Sequence, residues 1–257
     1  MFGWFQPTCP VDAVTKRWIE DRLNWLAREF PQNVFTSKPL ILPTADFFPD
    51  VFDGSYQSLR TMLDRVCNYM GVEPNRVELR TYQANRNLWL VNGAGRPLPG
   101  APAGTYEQFG HRFIIRLDEA EIDDTVGLVG TFAHELAHAR LLGERRLFGN
   151  EFDNELLTDL TVVVHGLGIF LANSPRHWDS QYSKWPGSEL LKPEYMTSPM
   201  FGYSIAHLAW CRGEQSPAWA KHLHPSARSN LRQGLNYLWK TRESTFIPLR
   251  LKEVEDD

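Results

Sequence analysis

Apolar residues recur with helical spacing along several stretches of the chain. Over 10–30 and again over 55–70 they fall on one side of a helix, and Gly71 follows the second stretch in the position of a C-cap. The same spacing predicts helices over 200–211 and 226–239. The pattern therefore predicts a mainly helical protein.

A smaller part of the chain has strand character. Residues alternate between apolar and polar at 77–83 and near 88–91, and 113–117 is a third β-rich run. The segment 35–50 is broken by prolines and predicts a loop or an edge strand, and the glycines and prolines of 92–104 predict a loop. We therefore expect an α+β fold in which helices dominate.

The length and composition allow one large core. The chain has 257 residues, of which 42% are hydrophobic, and this suffices for one domain or two packed lobes. We expect a single unit over 1–257, with an N-terminal α/β lobe over 1–124 and a helical lobe over 125–257.

Charge and cysteine content narrow the function classes. The net charge is −4 and the basic residues are dispersed, so a nucleic-acid partner is not expected. Three cysteines, far apart in sequence, do not predict a disulfide scaffold. The first residues lack the pattern of a secretory signal, and the longest apolar run, 162–171, is shorter than the roughly 20 residues of a membrane span. We expect a cytoplasmic protein with no membrane partner.

The most informative stretch lies in a predicted helix over 126–142 that is apolar on almost every side. Such a helix is buried, and buried polar side chains need partners. His134 and His138 are four residues apart and share one face, while Glu135 lies about 100° round the helix axis. Two histidines with this spacing can bind one metal ion, with Glu135 as general base for a metal-bound water.

A third ligand can come from a second predicted helix, whose N-cap we place at Asn150 or Asp153. Glu155 and Asp159 lie four residues apart on one face of that helix. Glu155 would complete a His₂Glu site, and Asp159 could accept the free ring N–H of one histidine.

These residues carry a family resemblance. His134-Glu135-x-x-His138 followed by Asn154-Glu155-x-x-x-Asp159 resembles the gluzincin pattern of thermolysin-like metallopeptidases. The extended metzincin motif is excluded, because it needs glycine and histidine where the chain has leucine and glutamate.

The resemblance implies one zinc ion held by His134, His138 and Glu155, with Glu135 as catalytic base and Asp159 bonded to His134. It also implies a zincin-like fold, in which a small mixed α/β part with a substrate-edge strand packs on a helical metal-binding core. That strand would be 113–117, which could equally be purely structural. The substrate would be a peptide or protein.

Other interpretations remain open at this point. Glu155 could instead complement a helix dipole, with Glu151 or Asp153 as the ligand. The chain could be a catalytically inactive zincin-fold binding or regulatory protein, or a peptidase dedicated to one protein partner. His165 is expected to be a packed histidine.

The sequence motif does not identify the residues that would stabilise a transition state. A zinc hydrolase usually places a Tyr, His or Arg donor near the developing oxyanion. Tyr203, His207 and Arg212 are candidates because their predicted helix could return to the cleft, although Tyr203 and His207 also fit ordinary core positions.

Overall fold

A computed structural model describes residues 6–83, 104–110, 112–148, 151–174 and 184–246. The contacts divide the chain into two compact units, one of Pro43–Glu151 and one of Met1–Leu42 with Phe152–Asp257. Both contain helices and the first also holds a sheet, so the mainly helical α+β class is confirmed. The expected lobe boundary at 124 falls inside the first of these units.

In its described residues, the unit of residues 43–151 contains two α-helices and a three-stranded sheet. Its elements are α3 (Tyr56–Met70), β1 (Val77–Tyr82), β2 (Gly104–Phe109), β3 (Arg112–Asp118) and α4 (Thr125–His138). Ser55 caps α3 by accepting a hydrogen bond from the backbone N–H of Ser58, and Gly71 ends the helix in the left-handed conformation with φ 71°. Both ends of α3 thus agree with the sequence prediction.

The strand order is β1-β3-β2, which corrects the expected edge strand. β3 pairs in parallel with β1 and antiparallel with β2, so 113–117 is central in the sheet. Its backbone groups are used on both sides, and a peptide cannot add to it as a further strand. The predicted strand near 88–91 and nearly all of the loop over 92–104 lie outside the described residues, while Gly104 begins β2.

Helix α4 carries the two histidines of the motif. Asp124 caps it by accepting hydrogen bonds from the N–H groups of Val126 and Gly127. Every residue from Leu128 to His138 is buried, which confirms the predicted all-round burial. The helix continues as a wider π turn over Ala139–Gly143, close to the predicted end.

The other unit is helical. It contains α1 (Ala13–Glu29), α2 (Asn33–Thr36), α5 (Asn154–Val162), α6 (Gly168–Asn173), α7 (Ser198–Cys211) and α8 (Pro225–Thr241). Helices α1, α7 and α8 match the predicted helices within about three residues at each end. The short α2 replaces the loop or strand expected at 35–36, and 37–50 is irregular.

Two glycines let α7 and α8 pack closely. A Cβ atom at Gly202 would lie 2.4 Å from the Cβ of Asn230, and one at Gly234 would lie 2.9 Å from the Cβ of Ala206. Ordinary side chains at these positions would push the helices apart, because packed interiors leave no room for added atoms.

Helices α5 and α6 are joined by a wide turn, Val163–Leu167, in which Gly166 has φ 91°. The resulting 20-residue stretch, 154–173, is the one described helix long and apolar enough to cross a membrane by length and composition. Its most apolar window has a mean hydropathy of 1.6 and is 94% buried inside the protein, as is usual for a core helix. The apolar run predicted over 162–171 is therefore part of a longer helical stretch.

Candidate metal centre

His134 and His138 lie one turn apart near the C-terminal end of α4. Their rings are edge-to-face with centroids 4.8 Å apart, and only 1% and 8% of the two residues is exposed. The local cause is the helix itself, because residues four apart project from the same face. The predicted pairing of the two imidazoles is therefore present, and both residues are buried.

Glu135 is also buried, with 3% of the residue exposed. Its carboxylate is one of three whose negative charge raises the pKa of Tyr82, the last residue of β1. Burial raises the pKa of the Tyr82 phenol, and the negative charges of Asp118, Glu121 and Glu135 raise it further. Tyr82 therefore keeps its proton and remains a hydrogen-bond donor.

Sequence reasoning did not single out Tyr82. It lies 53 positions before Glu135, and no spacing rule links a strand end to a distant helix. The parallel register of β1 with β3, which pairs Tyr82 with Asp118, contributes to these surroundings. In the sequence, Tyr82 is distinguished only by its position at the end of an alternating run. Many tyrosines with a purely structural role share that position, so it does not indicate a functional residue.

Glu155 lies in the first turn of α5. One ligand atom each from His134, His138 and Glu155 can be chosen so that all lie within 4.8 Å of one another. Two imidazole nitrogens and a carboxylate oxygen are a usual donor set for zinc, and this number leaves a coordination position for water. The donor set of these residues is therefore compatible with a bound metal ion.

Hydrogen bonds from α1 to Asp153 hold the start of α5 in place. This residue occupies the N-cap position, but its side chain makes no cap hydrogen bond. Its Oδ2 atom accepts from Trp18 Nε1 at 2.6 Å and Arg22 Nε at 2.7 Å, and its Oδ1 atom accepts from Arg22 Nη2 at 2.7 Å. Both carboxylate oxygens are thus engaged, which argues against Asp153 as the alternative metal ligand.

Asp159 is buried one turn after Glu155, with 2% exposed. Its Oδ2 atom accepts a hydrogen bond of 2.9 Å from the backbone N–H of Met196, just before α7. This bond holds the carboxylate in a fixed orientation and fastens the chain before α7 to α5. The predicted bond from Asp159 to His134 stays a prediction.

The three candidates for transition-state stabilisation make other contacts. Tyr203 Oη donates to Glu20 Oε1 at 2.8 Å, and the two ring nitrogens of His207 lie 3.1 Å from the carbonyl oxygen of Tyr203 and from Ser244 Oγ. Tyr203 and His207 are fully buried, which confirms the core interpretation. Arg212 donates from Nε to a backbone carbonyl at 3.1 Å.

His165 also belongs to the core. Its Nδ1 atom lies 2.9 Å from the carbonyl oxygen of Thr161, and its ring packs edge-to-face on Phe30 at 4.8 Å. The expectation of a packed histidine is confirmed.

No protein-family model, no curated protein and no solved structure matches the chain. The assignment of a metal centre therefore rests on the residues themselves, on their spacing in the sequence and on their positions in the structure.

Proposed function

We propose that the protein is a zinc-dependent peptidase of the gluzincin type, with a zincin-like fold. The observation that carries the proposal is the grouping of His134, His138 and Glu155, whose ligand atoms lie within 4.8 Å of one another. A carboxylate suited to proton transfer, that of Glu135, follows the first histidine directly in sequence. This combination serves hydrolysis better than a purely structural metal site, which has four protein ligands.

His134, His138 and Glu155 would hold the zinc ion. When bound, the ion would lower the pKa of a water molecule and polarise the scissile carbonyl group. The two histidines must bind as neutral imidazoles, because only a deprotonated ring nitrogen can donate its lone pair to the ion. Glu155 contributes the negative charge that partly balances the cation.

Glu135 acts as the general base. It takes a proton from the attacking water and delivers it to the leaving amine, so that the carboxylate is restored after each cycle. Its position on the helix, turned about 100° from His134, places it beside the two ligands rather than in line with them. Burial excludes bulk water, which would otherwise compete for the transferred proton.

Asp159 acts as a positioning residue. With one oxygen fixed by the N–H of Met196, the carboxylate can hold a ligand histidine in a single tautomer by accepting its remaining ring N–H. We assign this partner as His134.

The test separates metal binding from catalysis. Glu135→Gln should bind one equivalent of zinc, as the unaltered protein does, and should lose about 10²–10⁴ in the rate of peptide cleavage. Glu155→Ala should bind zinc more weakly. Glu189→Gln is a matched control, because the Glu189 side chain is 92% exposed and pairs only with Lys184 among the described residues.

Zinc content is measured by mass spectrometry after dialysis, and cleavage with a library of fluorogenic peptides. Equal rates for Glu135→Gln and the unaltered protein would refute the role of Glu135. Stoichiometric zinc without cleavage of any peptide would instead indicate a metal-binding regulatory protein.

A further inference from the structure

A cleft separate from the candidate metal residues lies beside α2 and the C-terminal end of α7. Its volume is about 350 Å³, and it is lined by residues 36–40 and Leu42 on one side and by Arg212, Glu214 and Trp219 on the other. Small-molecule sites usually have volumes of about 300–1,000 Å³. The cleft is therefore large enough for a small organic molecule.

Arg212 is the unusual residue of this cleft. Its Nε donates to the carbonyl oxygen of Phe35 at 3.1 Å, while its Nη2 is buried and has no hydrogen-bond acceptor among the described residues. Burial lowers the pKa of the guanidinium, although the neighbouring Glu214 charge opposes that shift. An arginine stays charged in proteins, and Glu214 only partly offsets the cost of this half-buried charge.

The other lining groups indicate which ligand would relieve that cost. Glu214 Oε2 accepts a hydrogen bond of 2.6 Å from Trp219 Nε1, and Lys38 adds a second positive charge to the cleft. Lys38, Arg212 and Glu214 give the lining a formal charge of +1, which suits a monovalent anion better than a divalent phosphate. Pro39, Leu40 and Trp219 offer apolar surface beside the charges.

We propose that this cleft binds a small organic carboxylate. The anionic end pairs with the positive charge of the Arg212 guanidinium, and the apolar body lies against Pro39 and Trp219. A free organic acid and the C-terminal residue of a short peptide share this chemistry. The site is independent of zinc and of peptide hydrolysis.

The first experiment measures binding by calorimetry with the full chain. N-acetyl-leucine should bind, and N-acetyl-leucinamide, which lacks the carboxylate, should bind about tenfold more weakly or worse, since a hydrogen-bonded ion pair is lost. If N-acetyl-alanyl-leucine binds more tightly than N-acetyl-leucine, the site is assigned to peptide C-termini. If it binds more weakly, the site is assigned to free organic acids. Equal binding of the acid and the amide, or tighter binding of inorganic phosphate, would overturn the proposal.

Two variants locate the site. Arg212→Met should lose at least tenfold in affinity for N-acetyl-leucine, whereas Glu214→Gln should gain affinity because a repelling charge is removed. Lys221→Met serves as control, since this exposed cation lies outside the cleft lining.

Folding is checked by the thermal midpoint. Arg212→Met removes a half-buried charge but also loses the hydrogen bond to the carbonyl oxygen of Phe35, so its thermal midpoint should stay close to that of the unaltered protein. A folded Arg212→Met protein that binds the acid as tightly as the unaltered protein would refute the assignment.

Discussion

Removal of the Arg22 side-chain charge tests how α5 is held in place. Arg22 donates two hydrogen bonds of 2.7 Å to Asp153, whose side chain has no exposed surface. Arg22→Met keeps most of the side-chain volume and leaves this buried carboxylate with Trp18 as its remaining donor among the described residues. The perturbation is therefore an uncompensated buried charge at the start of the helix that carries Glu155.

The expected loss of stability follows from this geometry. Breaking a buried ion pair by removing one partner costs about 3–5 kcal/mol. Arg22 is 19% exposed, so water partly replaces it, and we expect about 3 kcal/mol. For a chain of this length, that loss lowers the thermal midpoint by roughly 6–12 °C.

Urea denaturation measures the loss of stability, and a double variant tests whether the unpaired charge of Asp153 causes it. Asp153→Asn combined with Arg22→Met removes both charges, and the pair should be more stable than Arg22→Met alone. Arg17→Met is the matched control on α1, since Arg17 is exposed. A loss below about 0.5 kcal/mol for Arg22→Met, which is within the range of surface substitutions, would refute the reasoning.

Two further predictions concern the core of the same unit. Burial lowers the pKa of His207 from 6.5 to about 4. Below pH 6.5 the unfolded chain therefore binds a proton at this histidine that the folded chain does not bind. The free energy of unfolding then falls by up to about 1.4 kcal/mol per pH unit towards pH 4. His207→Gln should flatten this dependence in urea titrations at pH 7, 6 and 5, and an unchanged slope would contradict it. Gly166→Ala should cost at least about 2 kcal/mol, because φ is 91° and the new Cβ would lie 2.6 Å from the carbonyl oxygen of Pro39. Gly187→Ala has a similar φ of 70° and nothing within 4 Å, so thermal unfolding should show a smaller loss, and equal losses would exclude the clash as the cause.

The sequence determined the features that depend on local geometry. Helices α1, α3, α7 and α8 follow from apolar spacing near 3.6 residues, and Gly71 marks the end of α3 because it adopts a left-handed conformation easily. The alignment of His134 with His138 is local in the same sense. Once α4 is a helix, a spacing of four residues places both rings on one face.

The tertiary structure decided everything that depends on partners distant in sequence. A β-rich run does not reveal whether its strand is central, and the pairing of β3 on both sides corrected the expected edge strand. The sequence offered Asp153 as a cap or a ligand, but its bonds to Trp18 and Arg22 connect residues more than 130 positions apart. The grouping of Glu155 with the two histidines and the partial burial of Arg212 are likewise non-local. Such contacts depend on how helices pack, and short-range periodicity carries no information about that packing.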